Sequence, residues 1–168
     1  NYEANMFFLL TFLTVFSTNV KADTSNMTKI NIEMYKTNRH WKTPPTVLVC
    51  NSSNFSKENI NMALKEWAKK GHLVKKIEYE NSDNKCTFPG KKGYIQIIGQ
   101  GKHLNTYDHY AITSHRVRHY KNGKEEIIFT NIETAKDTYN RYSTTLHEFG
   151  HAFGYYHNHI QGDVMNRK

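Results

Sequence analysis

Eleven residues near the C-terminal end, "HEFGHAFGYYH" from His147 to His157, restrict the backbone more than any other stretch of the chain. His147 and His151 are four apart, which on an α-helix stacks them one turn above each other on a single face. Tyr142, Leu146, Phe149 and Phe153 fall on the opposite stripe, the side that a helix buries. The pattern predicts a helix over 139–153. Gly154 follows, and glycine takes the left-handed conformation that ends a helix and reverses the chain. A reversed chain carries His157 back toward the first two imidazoles, while Glu148 projects beside them without joining the set. Three protein ligands with one position left over is the arrangement of catalytic zinc, whereas structural sites are closed by four. A His-Glu-x-x-His pair alone is a weak signal. The glycine and the third histidine at fixed offsets make a chance match rarer by roughly a thousandfold.

Ahead of this helix the chain alternates in period. "TVLVC" (46–50) reads as a buried strand. Ser56 caps a helix whose Ile60, Ala63, Leu64 and Trp67 share one face, with Gly71 as its stop. Strands are predicted at 73–80, 93–99, 109–120 and 125–133, the last two joined by the hairpin signal "KNGK". The expected fold is an α/β domain: a twisted, mixed five-stranded sheet with two helices, the metal-binding one near the C-terminus. There are no internal repeats.

"MFFLLTFLTVF", Met6 to Phe16, has the length of a signal-peptide core and is too short to span a bilayer, which takes roughly 20 apolar residues. Ala22 then offers a small residue for cleavage. Residues 1–22 therefore read as a signal peptide, 23–45 as an extended segment closed by Pro44 and Pro45, and 46–168 as the folded domain. The other reading of the first stretch is a buried N-terminal helix. On the first reading the protein is secreted, extracellular or periplasmic, with no membrane contact after cleavage. In an oxidising compartment Cys50 and Cys86 pair as a disulfide; otherwise they are two buried thiols. Among 168 residues the net charge is +8, but the lysines are scattered, with no basic block longer than a pair. A solvated basic surface is the reading, with no nucleic-acid partner.

The run from His147 to His157 fits the long zinc signature of the metzincins at every defined position. Met165, eight residues after His157 in "GDVMN", stands where the matrixin branch has its methionine turn. The chain thus resembles the matrixin-like metalloproteases, in detail over 139–166 and upstream only in the order of elements. The resemblance implies a zincin-like fold and a monomeric secreted zinc endopeptidase. His147, His151 and His157 would bind zinc, Glu148 would be the general base, and Met165 the floor under the metal. Strand 109–120 would be the sheet edge along which a peptide substrate adds. No matrixin cysteine switch is present. His103, Asp108, His109, His115 and His119 do not reproduce the spacing of the family's second zinc and calcium sites, and His159 is expected to face solvent. With only Asn166 to Lys168 after Met165, the pocket beyond the cut bond is expected to lack an outer wall. Two other readings remain: a catalytically incomplete, metzincin-like peptide-binding protein, and a basic exported protein with a structural zinc.

Cleavage after Ala22 leaves Asp23 as the first residue of the mature chain, which N-terminal sequencing of exported material checks. A mature protein that keeps Phe7 to Phe16 would instead favour the buried helix.

Overall fold

The structure is a computed structural model that describes residue 30 and residues 38–82, 85–87, 89–99 and 110–166. The leader and His103, Asp108 and His109 lie outside these residues.

The β-branched run Thr46–Cys50 forms β2, and all five of its residues are buried. It is central because it pairs in parallel on both sides, with β3 (Lys76–Glu80) and with β4 (Tyr94–Ile98). Parallel neighbours need a crossover, and α1 (Lys57–Lys69) supplies it between β2 and β3. Beyond β4 lies β6 (Glu125–Thr134), again parallel. The edge beyond it is β5 (Ala111–His119), antiparallel to β6 through the 120–124 turn, where Gly123 takes a φ of 78°. The second helix is α2, Tyr142–Ala152.

The sheet is mixed, as expected, but has six strands rather than five. The addition is β1, the two residues Arg39–His40, which pair in parallel with Glu125 and Glu126. They fall within the segment 23–45 that reads as extended in the sequence. Three contacts hold them: the Glu125 amide donates to the Asn38 carbonyl at 3.0 Å, Arg39 pairs with Glu125 at 2.6 Å, and Trp41 Nε1 donates to the Ala152 carbonyl at 2.8 Å. α2 is also shorter than 139–153, because Lys136–Thr138 form a 3₁₀ turn before it.

Ser56 caps α1 as expected, accepting from the Asn59 amide at 3.1 Å. Ile60, Ala63, Leu64 and Trp67 are buried against Leu146, Phe149 and Phe153 of the α2 region and against Val47, Val49, Ile95, Ile97 and Ile132 of the sheet. Trp67 is fully buried, and its Nε1 donates to the Leu146 carbonyl at 2.9 Å. That bond satisfies the indole's one polar group and fixes α1 against the helix that carries the histidines.

Cys50 and Cys86 form a disulfide that ties the end of β2 to the approach of β4 across 36 residues. A loop of that length should add about 3–4 kcal/mol by restricting the unfolded chain. The Cys50→Ala/Cys86→Ala double variant is expected to lose that much in urea denaturation, and intact mass should rise by two hydrogens on reduction of the parent.

Candidate metal centre

The end of α2 sets the site. Past the C-cap Phe153, Gly154 takes a φ of 98°, and two bonds close the turn: Gly154 N–H to the His151 carbonyl at 2.8 Å and Tyr155 N–H to the Gly150 carbonyl at 3.0 Å. These are the paired bonds of a glycine-ended helix. The reversal brings His157 over the helix. Its Nε2 lies 3.1 Å from Nε2 of His147 and 3.0 Å from Nε2 of His151.

The other ring nitrogens decide what those atoms are. His147 Nδ1 lies 2.6 Å from the Val164 carbonyl, and His151 Nδ1 lies 2.8 Å from the Tyr155 carbonyl. A carbonyl can only accept, so both Nδ1 atoms carry hydrogen, and in each neutral ring that leaves Nε2 with a lone pair. Burial, reinforced by the neighbouring His147, holds His151 down to about 3, so its ring is neutral. His157 has at most one Nε2 proton to offer two such lone pairs, whereas one cation satisfies all three. Tetrahedral coordination at about 2.0–2.1 Å separates ligand nitrogens by about 3.3–3.4 Å, within a few tenths of the distances here. The three histidines can hold one metal ion, and among the described residues they are the one such group. His159 is exposed and stands apart from it.

Glu148 lies beside the cluster but outside it. It is 6% exposed, and Oε2 accepts a hydrogen bond of 2.5 Å from the Thr113 hydroxyl of β5. Burial pushes its carboxyl up to about 7, against the opposite pull of that bond. β5 is therefore keyed to α2 at Glu148. It is keyed a second time by His115, whose ring meets Thr130 Oγ1 at 2.8 Å and the His151 backbone. Burial, with Arg39 nearby, holds His115 down to about 4. His115 is thus a neutral strut between sheet and helix, and His119 an exposed partner of Glu125 at 2.9 Å. Among the described residues no strand pairs with the outer side of β5.

Met165 is 3% exposed and packs under α2 against Gly150. Sequence reasoning names His147, Glu148, His151, His157 and Met165; the structure brings the three histidines together, bonds Glu148 to Thr113 and packs Met165 against Gly150. It misses Thr113, which touches Glu148 from 35 residues away, and Gly150, whose place inside a helix is the only trace of its role. It also passes over Asn158, the residue after the third histidine, and its buried partner Asp163. "GD" before a β-branched residue reads as an ordinary turn.

A Cβ at Gly150 would stand 2.2 Å from Met165 Sδ and 2.8 Å from Trp67 Cζ2. Alanine favours a helix over glycine by about 1 kcal/mol, but overpacking a filled core costs about 1–3 kcal/mol. Gly150→Ala is therefore expected to lower stability in urea denaturation, the reverse of its effect on an exposed helix. No protein-family model, curated protein or solved structure matches this chain, so what the site does follows from its own residues.

Proposed function

We propose that the protein is a secreted zinc endopeptidase, a matrixin-like member of the metzincin clan, with 46–168 as its catalytic domain behind a cleaved leader. The observation that carries this reading is the convergence of three histidine Nε2 atoms beside a buried carboxyl. Three ligands leave a position for substrate and water, which supports a catalytic over a structural metal. Imidazole nitrogens suit zinc, and two of their three separations lie within a few tenths of an ångström of the tetrahedral value. Zinc held there supplies a Lewis acid that makes water more acidic and polarises a carbonyl.

The rest is the work of this chain's own groups. Glu148 takes a proton from the attacking water and delivers it to the amine of the departing peptide. The Thr113 hydroxyl occupies Oε2, which leaves Oε1 for that proton. The outer edge of β5 offers backbone donors and acceptors to an extended peptide, which adds as an antiparallel strand. Because Thr113 and His115 tie this edge to α2, a peptide seated on it is held in register with Glu148. The antiparallel edge strand, bonded through Thr113 to the helix that bears the histidines, supports this reading. The disulfide agrees with export to an oxidising compartment.

Zinc-loaded protein is expected to cleave casein, to stop when a chelator strips the metal, and to recover when zinc is returned. Glu148→Ala should keep the zinc and lose hydrolysis by about 10²–10⁴-fold. If that variant cuts as fast as the parent, Glu148 is not the base. A zinc-loaded parent that binds peptides along β5 but never cuts them would instead support the incomplete, peptide-binding reading.

A further inference from the structure

Asp163 is a buried carboxylate with no part in the chemistry above. It is 3% exposed, and its neighbour Asn158 is 1% exposed. Asp163 Oδ1 accepts from Asn158 Nδ2 at 2.9 Å and from the Met165 amide at 2.7 Å. The backbone closes around the same pair. The Asn158 amide donates to the Met165 carbonyl at 2.8 Å, and the Ile160 amide donates to Asn158 Oδ1 at 3.1 Å. Asn166 Nδ2 reaches across to the Ile160 carbonyl at 2.7 Å.

Two ligands hang on this knot. Asn158 is the residue after His157, so anchoring it fixes the backbone from which the third imidazole rises. Val164 lies between Asp163 and Met165, which the carboxylate joins, and its carbonyl accepts from His147 Nδ1 at 2.6 Å. A single carboxylate oxygen therefore sets the position of one histidine and the ring orientation of another. It does so from inside the protein, where the low dielectric strengthens a satisfied hydrogen bond.

We infer that Asp163, with Asn158 as its partner, is a positioning residue for the metal site: it presents His157 and His147 to one ion and so raises the affinity of the whole triad. The inference rests on the reading of the triad as a zinc site. Groups that orient metal ligands without touching the metal typically change affinity 10–100-fold when removed.

The test is zinc affinity in the full chain, measured by competition with a chromophoric chelator, alongside melting temperature. Asp163→Ala and Asn158→Ala should each bind zinc about 10–100-fold more weakly than the parent. Asp163→Asn keeps an acceptor oxygen and should stay close to the parent. Ile97→Val, a core truncation away from the loop, should lower the melting temperature and leave zinc affinity alone, which separates positioning from general destabilisation. Parent-like affinity in Asp163→Ala or Asn158→Ala overturns the inference, as does an Asp163→Asn variant no better than Asp163→Ala. Should Asp163→Ala not fold, Asn158→Ala and Asp163→Asn decide. If His157→Ala binds zinc as tightly as the parent, the triad is not the site and the inference falls with it. A parent that binds zinc through the triad but cleaves nothing defeats the protease reading and leaves the positioning role standing.

Discussion

A histidine side chain is a metal ligand only when the nitrogen facing the metal is bare, and in this chain backbone carbonyls enforce that. The Val164 and Tyr155 carbonyls each accept a hydrogen bond from a ring Nδ1–H and turn that ring's Nε2 toward His157. Both carbonyls belong to chain that follows α2, so neither exists in the right place until Gly154 has reversed the backbone. Spacing on the helix alone brings two imidazoles to one face. The reversal fixes their tautomers and adds the third.

That geometry needs a helix that cannot roll. α2 buries Tyr142, Leu146, Phe149 and Ala152 on one side, and it is held by bonds that are not apolar. Trp67 and Trp41 each donate an indole N–H to its backbone, at the Leu146 and Ala152 carbonyls. Burial of each large side chain contributes about 1.5–3 kcal/mol without direction. The indole bonds contribute less, but they specify rotation and register. Met165 against Gly150 closes the remaining side. A helix fixed on three sides presents His147, Glu148 and His151 on its fourth.

Legibility in the sequence followed the range of the interactions. The cap at Ser56, the stop at Gly71, the hairpin at 120–124 and the turn at Gly154 are decided by residues within a few positions of one another, and the spacing of His147, His151 and His157 is local to one turn and its reversal. β1 was not legible, because two residues make no periodicity, and the strand exists only where Trp41 and Arg39 find partners on distant elements. Thr113 was legible as a strand residue but not as the partner of Glu148, since alternation gives the face and not the contact. Asn158 and Asp163 read as a polar loop because nothing in a loop's composition says that its side chains point inward.

The outer side of β5, which no strand pairs among the described residues, is the last constraint, since an unpaired strand invites association with another chain. β5 carries Arg116, Arg118 and His119 in its second half, all exposed, and a bulge falls between Arg116 and Val117. Charge and irregularity of this kind are what natural edges use to discourage pairing. The first half, Ala111 to Ser114, carries no charge and runs regularly past Glu148, with Thr113 bonded to its carboxyl. The strand is therefore guarded along one half and smooth along the other. On the reading proposed above, the smooth half is where a peptide would lie, and the guarded half keeps a second copy of the sheet from taking its place.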